Sequence, residues 1–450
     1  MVPQLSDGLI DEAVILLRNL LRIDTTNPGG PETPAAIAVQ QFLTSHGVRS
    51  DVLEPVEGRA SVTARVAGTD ISAPTLLLLS HLDVVPTGDP RGWNHEPLSA
   101  DLSDGFIHGR GAIDDKGRTA MNAASIVSLH QDPAPGDVLF VAAADEEAGG
   151  TLGVRWLMDH HPETLDADFA LGEGGGYRTS MGNRNLYTYA IAEKGAFRLR
   201  LTFRSGATGG HASIPGAENP AEVSARIAVD LATLRWPWIR SDATSAMLKA
   251  LSNKGPVLLR AGQRALGLQF LGPALLGRGV GVSEAQRRAL HAMFHTTVAL
   301  TSLRSGHAEG GIPQEAEALF SVRYPPSASR NQVLVAINNR LRRARVDPEI
   351  SVEREVRPRA APPTSPLATA IMKTMDELDP TADLIPVLLP ASTDLRDLDS
   401  RTVAYGFTPM RGITAEEVAN TTHGVNERIA EGDIRFGVEA TVRTAHHLGK

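Results

Sequence analysis

TLLLLSHLD, residues 75–83, is a run of four leucines that ends on a histidine and an aspartate. A continuous apolar run of this length reads as a strand buried on both faces of a parallel sheet. Its polar tip matters because in open α/β sheets the ligand crevice lies beyond the carboxyl ends of such strands. The pattern recurs. DVLFVAAA (137–144) runs into Asp145, Glu146 and Glu147, and DFALG (168–172) runs into Glu173. Between the first and second of these lies an acidic, glycine-bearing loop, GRGAIDDKG (109–117). Three polar tips on three buried strands predict one site assembled from several strand ends.

Outward from this core, residues 8–23 carry Ile10, Val14, Leu17, Leu20 and Leu21 at helical spacing, and 33–46 form a second amphipathic stretch. Short strands are expected near 49–54 and 60–67. Helix 115–131 then alternates with strand 137–144, and helix 151–160 with strand 168–172, a βαβα rhythm that indicates an α/β sheet. From about residue 185 the texture changes: NLYTYAIAEKG and AFRLRLTFRSG alternate polar and apolar, as half-exposed antiparallel strands do. Helix 219–235, an irregular Gly-rich stretch at 239–300, strand 314–323 and helix 330–345 follow, and RPRAAPPTSP (357–366) reads as a return linker. Helix 367–379, strand 384–389 and helix 431–447 close the chain. The expected fold class is therefore α/β: a mixed, mainly parallel sheet flanked by helices, with a smaller α+β lid domain inserted into it. The larger domain is placed at 1–190 and 359–450, the inserted one at 191–358, with its longer insertion near 239–300.

Composition narrows the function. The 450 residues, 42% hydrophobic and 21% charged, suit a soluble globular chain too long for one comfortable core. A net charge of -8 argues against a nucleic-acid partner, and Arg340, Arg342, Arg343 and Arg345 read as a solvated helix face. With no cysteine, any metal must be held by carboxylates and imidazoles. MVPQLSDGLIDEAV has neither a basic nor an apolar leader segment, and no run of 18 apolar residues occurs, so a cytoplasmic chain without a membrane span is expected.

The chemistry follows from the residue types. His81 and Asp83, two apart in an extended segment, point to one side, and a metal-bound imidazole wants an acceptor on its other nitrogen. A satisfied structural histidine is the bland alternative. Asp114 and Asp115 precede a helix; a helix cap explains one aspartate better than a pair. A dinucleotide fingerprint fails, because Asp114 stands where its last glycine belongs. Three adjacent acids after a buried strand repel one another. They make sense if one binds a cation while its neighbour works as a base on water. Glu173 and His423 are unremarkable alone. Together the candidates supply two histidines and three carboxylates with an acid to spare, enough for two cations sharing a carboxylate. Imidazole donors favour zinc over magnesium.

SHLDVVP, GRGAIDDKG, ADEEAGG, GEGGG, ATGGHASIP and HGVNERI, in that order, resemble the successive motifs of a co-catalytic zinc exopeptidase and amidohydrolase family. Its members include aminoacylases, acetylornithine deacetylase, succinyl-diaminopimelate desuccinylase, glutamate carboxypeptidase and carnosine-type dipeptidases. The resemblance implies two Zn2+ per subunit, with Co2+ or Mn2+ as substitutes. His81, Asp114 and Glu173 would hold one metal, and Asp114, Glu147 and His423 the other. Glu146 would be the general base, and Asp83 would orient His81. His211 would stabilise the oxyanion, from its own chain or, as in dimeric relatives, from a partner subunit. Arg323, in SVRYPP, would bind the substrate carboxylate. The implied reaction is hydrolysis of a peptide or N-acyl amide bond in a dipeptide or N-acyl amino acid by zinc-activated water, in a homodimer built through the lid. Two departures stand out: Gly310 replaces the asparagine common before the lid's V-I-P, and 239–300 lengthens the lid. A two-metal phosphoesterase would want a cationic set at the strand ends that is not evident. A non-catalytic metal- or metabolite-binding member would have lost the base or a ligand, yet Glu146, Asp114 and His423 are all present.

Overall fold

The computed structural model describes residues 5–181, 184–205, 210–213, 219–252, 284–306 and 311–449. Leucines 76 to 79 form part of the strand Leu76–His81, and they divide between two cores. Leu76 and Leu78 join the cluster under the helices Asp7–Arg22, Lys116–Gln131, Pro366–Leu378 and Glu431–Leu448, whereas Leu77 and Leu79 join a second cluster with Val154, Leu157 and Leu395. Side chains of a strand alternate between faces, so a run that is apolar at every position needs cover on both. Each fully buried leucine contributes about 2 kcal/mol, which is why this strand sits at the centre of the sheet.

On either side of it lie Val138–Ala143 and Phe169–Gly172, both parallel to it, and Val403–Gly406 continues the parallel set beyond Phe169–Gly172. Antiparallel strands Arg59–Val66 and Ser50–Val56 finish one edge; Arg184–Glu193, Tyr177–Met181 and Ala382–Leu389 extend the other into an 11-stranded mixed sheet. Because the central strands run the same way, His81, the acids after Ala143 and Glu173 emerge at one edge.

A separate four-stranded antiparallel sheet orders Thr297–Ser305, Glu315–Tyr324, Gly195–Arg204 and Glu349–Val356. Gly195–Arg204 alternates buried and half-buried residues as its sequence suggests, and helices Pro220–Ala232 and Arg330–Arg343 cover its inner face through Ile227, Leu231, Val333 and Ile337. Two expectations shift. Strand Arg184–Glu193, read as half-exposed, belongs to the large sheet, and its second half is buried on both faces. The described parts of 239–300 also divide. Thr297–Ser305 edges the small sheet. Trp238, Met247, Leu248 and Phe294, carried in and around helices Asp242–Ser252 and Glu284–Phe294, instead pack on Ala190, Ile385 and Val387 of the large sheet. Gly310 lies outside the described residues. Among the described residues no helix is long and apolar enough to cross a membrane.

Candidate metal centre

His81 ends its strand with 2% of its surface exposed. Its Nδ1 lies 2.9 Å from the carbonyl oxygen of Asp83 and 3.4 Å from that residue's Oδ1. A carbonyl only accepts, so Nδ1 carries a proton; Nε2 faces Asp114, donating to it when the ring is protonated and offering a lone pair to a cation when the ring is neutral. The Asp83 carboxylate has other work: Oδ1 and Oδ2 accept the backbone N–H groups of Glu146 and Glu147, each at 3.0 Å, and Asn27 donates to Oδ2 at 2.8 Å. Asp83 therefore faces His81 chiefly through its main chain and holds the following acidic loop through its side chain. That loop turns at Asp145, whose φ of +67° is a left-handed value uncommon outside glycine. Asp145 is tied down by Asn27, by Arg59 and by the N–H of Leu152.

Asp114 lies between the two histidines. Oδ1 is 2.9 Å from His81 Nε2, and Oδ2 is 3.1 Å from His423 Nε2. Glu173 Oε1 stands 3.9 Å from His81 Nε2, and Glu147 Oε1 stands 3.2 Å from His423 Nε2. The five expected ligands thus come together as two triads that share Asp114, one oxygen in each. Donor atoms of His81, Asp114 and Glu147, and separately of His81, Glu146 and Glu173, fall within 4.8 Å of one another.

The electrostatics fit a cation as well as the distances do. At His81, burial opposes the imidazolium but is outweighed by Asp114 and Asp83, so its pKa lies well above the usual value. At His423, hydrogen bonds donated to Asp114 and Glu147 raise the pKa to about 10. Burial would raise Asp114, yet the two histidines drive it well below the ordinary carboxylate range. In the metal-free chain, protons therefore occupy the gaps between donors that metal ions would otherwise fill. Burial pushes Glu173 well up, with Asp114 adding to the effect, and pushes Glu146 up to about 7 against the pull of Arg396 and His81. Asp115 stands at the start of helix Lys116–Gln131 but makes no side-chain cap bond, and burial raises it to about 8. So many buried acids in one place are costly without cations. Two imidazoles with carboxylates alone suit a borderline-soft divalent metal.

A cavity of about 730 Å³ opens over this edge. Glu146, Glu147, Glu173 and His423 line its floor, Val387, Leu388, Leu389 and Met293 give it an apolar wall, and Arg323 reaches it from the small sheet. Arg323 makes no hydrogen bond or ion pair among the described residues, and burial lowers its pKa. His211 is placed differently. It sits exposed on a two-stranded ribbon, with Nδ1 2.6 Å from Ser213 Oγ, and is not among the described residues lining the cavity of its own chain.

Two contributors carry little or no signal in the sequence. Glu427, fully buried in HGVNERI, accepts the N–H groups of Gly111, Ile113 and Asp114 at 3.0, 2.8 and 3.0 Å, and Arg110 Nη1 at 2.6 Å. It holds the loop that presents Asp114. Arg396 donates to Glu146 Oε1 at 2.8 Å. The only sequence signal for Glu427 is its place four residues after His423, and Arg396 gives none.

Two histidines sharing one carboxylate at the carboxyl edge of a mixed α/β sheet make a donor set suited to a metal-dependent hydrolase. The chain belongs to peptidase family M20/M25/M40, whose model matches residues 77–447. It is 27% identical to the N-fatty-acyl-amino acid synthase/hydrolase PM20D1 of Xenopus tropicalis over 409 residues, which span 89% of this chain and 76% of the relative. It is 28% identical over 372 residues to the probable carboxypeptidase S-like 2 of Dictyostelium discoideum, spanning 80% and 69%. Its fold matches the M20 family metallo-carboxypeptidase Sso-CP2 from Sulfolobus solfataricus with a TM-score of 0.74 at 19% identity, over 98% of this chain and 99% of that one.

Proposed function

We propose that this hydrolase cleaves the amide bond of an N-acyl amino acid or dipeptide, beside a free carboxylate, with two zinc ions held by His81, Asp114, Glu173, Glu147 and His423. The observation that carries this reading is Asp114, whose two oxygens face two different histidines while Glu146 lies beside them on a separate partner. Two bound cations would polarise the scissile carbonyl and acidify a water, and cobalt or manganese could replace zinc. Glu146 takes the proton of the attacking water and returns it to the leaving nitrogen. Arg323, without an ion pair among the described residues and partly desolvated, holds the substrate carboxylate. The apolar wall of Val387, Leu388, Leu389 and Met293 takes an apolar acyl group or side chain. The two relatives, an N-fatty-acyl-amino acid synthase/hydrolase and a probable carboxypeptidase, support an amide next to an amino acid's free carboxylate as the bond acted on. His211, exposed and not among the described residues lining its own cavity, serves the cavity of a second copy in a homodimer, the second of the two placements, own chain or partner, that the family resemblance leaves open.

Glu146→Gln tests the reading. Turnover of N-acyl amino acids and dipeptides should fall by about 10²–10⁴-fold with metal content unchanged. Near-native turnover would remove Glu146 from the mechanism.

A further inference from the structure

Arg396 lies on the stretch STDLRDLDS, residues 392–400, which carries no motif of its own. Its side chain is 5% exposed and is gripped along its length. Nε donates to Asp397 Oδ2 at 3.1 Å, Nη2 lies 3.7 Å from Asp394 Oδ1, and Nη1 donates to Glu146 Oε1 at 2.8 Å. The other oxygen of Asp397 is 3.0 Å from Arg155 Nε, on the helix that follows the loop bearing Glu146. The two segments also touch at Gly150, where φ is +69° and a Cβ would come within 2.8 Å of Asp394 Oδ1. Loop 145–153 is thus pressed against 394–397, and the chain Glu146, Arg396, Asp397, Arg155 runs across the seam.

Three arginines, Arg323, Arg354 and Arg396, line the cavity, and the surroundings of Arg396 and Arg323 differ. Arg396 faces three carboxylates, those of Glu146, Asp394 and Asp397. Arg323 has no ion pair among the described residues; Glu146 is the attractive charge acting on it and Arg396 the repulsive one. An incoming carboxylate would have to compete with three resident ones at Arg396 and with none in contact at Arg323. Substrate capture therefore belongs to Arg323.

The Glu146 N–H donates to Asp83 and its carbonyl accepts from Gly149, which set the backbone, and Oε1 accepts from Arg396, which sets the side chain. An oxygen held by a permanent cation is a poor place for a proton, so Oε2 is left to receive one.

We propose that Arg396 is a positioning residue that pins Glu146 by Oε1 and so presents Oε2 to the reacting centre. This rests on Glu146 being the base. In the first transfer a water O–H bond breaks, an Oε2–H bond forms and the water oxygen bonds to the scissile carbon as the C=O π pair moves onto the carbonyl oxygen; in the second, Oε2–H breaks, N–H forms on the leaving nitrogen, the C–N bond breaks with its pair on nitrogen and the C=O bond re-forms.

The test uses metal-loaded protein and the fastest substrate from a panel of N-acyl-leucines and unblocked dipeptides. Arg396→Ala should lower kcat by about 10²-fold, the loss expected for a misplaced catalytic group, with KM and metal content near wild type. Arg396→Lys should restore part of kcat, because an ammonium can reach Oε1 without the fork that grips Asp397. In a Glu146→Gln background, Arg396→Ala should cost almost nothing further, since residues acting as one unit do not add. A raised KM with kcat kept would make Arg396 a substrate anchor and overturn the proposal, as would a full additional loss on top of Glu146→Gln. Should Arg396→Ala fail to fold, the lysine variant and its cycle with Glu146→Gln separate the same alternatives. Near-native turnover by Glu146→Gln alone would overturn the base assignment underneath; an inactive Glu146→Gln beside a fully active Arg396→Ala would overturn the positioning role only.

Discussion

Glu427→Gln probes how the loop bearing Asp114 is held. The carboxylate is completely buried and accepts four donors: Ile113 and Asp114 N–H on Oε1, Gly111 N–H and Arg110 Nη1 on Oε2. A glutamine of the same shape must turn an NH2 group toward one of these pairs. Each unpaired buried donor costs about 1–3 kcal/mol, and a buried ion pair broken on one side costs about 3–5 kcal/mol. Arg110, itself 1% exposed, cannot turn to water for relief. Because these terms share one group they do not add, and a net loss of about 3–5 kcal/mol is expected. That is a large share of the about 5–15 kcal/mol that keeps a typical domain folded. Releasing the N–H of Asp114 should also loosen the bridging carboxylate and weaken metal binding by about 10–100-fold, as lost outer partners of metal ligands do. Urea denaturation of the metal-free chain and zinc titration against a chromogenic chelator measure the two effects separately. A variant within about 1 kcal/mol of wild type with unchanged zinc affinity would refute the reasoning, because surface-like behaviour is incompatible with four buried donors converging on one side chain.

Other consequences are simpler to read. Arg323→Ala should raise KM for free-carboxylate substrates by about 10–100-fold, the worth of a charge-assisted hydrogen bond, and leave KM for the corresponding amides unaltered; equal effects on acid and amide would remove Arg323 from carboxylate binding. Lys194 is buried where the chain leaves the large sheet for the small one, with Nζ donating to the carbonyls of Ala292 and His295 and to Thr297 Oγ1. Burial, helped by repulsion from Arg323, lowers its pKa to about 7. The unfolded lysine keeps its proton up to about pH 10.4, so between that value and 7 the unfolded state binds more protons and stability should rise with pH. The slope attributable to Lys194 is at most about 1.4 kcal/mol per pH unit. It should vanish in Lys194→Met, measured by denaturation from pH 7 to 10; identical slopes in both proteins would mean that Lys194 stays charged.

The parts of this fold legible in the sequence are those where one physical demand acts on consecutive residues. Leu76 to Leu79 must all be apolar because both faces of their strand are covered, so the run announces a central parallel strand, and the polar tips after it mark the edge where ligands gather. His81, Asp114, Glu147 and Glu173 are reachable for the same reason, since each follows a buried run or stands in the acidic loop between two of them, whereas His423 is reached only through the family resemblance of HGVNERI. Partners drawn from distant segments leave no such trace. Glu427 and Arg396 are 313 and 250 residues from the groups they hold, and a buried acid or arginine looks in sequence like a solvated one. Strand Arg184–Glu193 misleads because its alternation is real only in the first half; its later residues gain a second cover from Trp238, Met247 and Phe294, contributed by an irregular stretch. Asp83 shows the limit within a motif: spacing puts it beside His81, but only the fold reveals that its carboxylate serves the amides of Glu146 and Glu147.

The measurement that bears most directly on the centre is a count of metal. Wild type stripped with chelator, reloaded with zinc and passed through a desalting column should carry about two ions per chain by elemental analysis, and Asp114→Asn, which turns one of the two shared oxygens into an NH2 group that cannot ligate and removes the charge felt by both triads, should retain at most one, held weakly. Wild type saturating at a single ion, or Asp114→Asn keeping two with undiminished affinity, would contradict a pair of cations joined through Asp114.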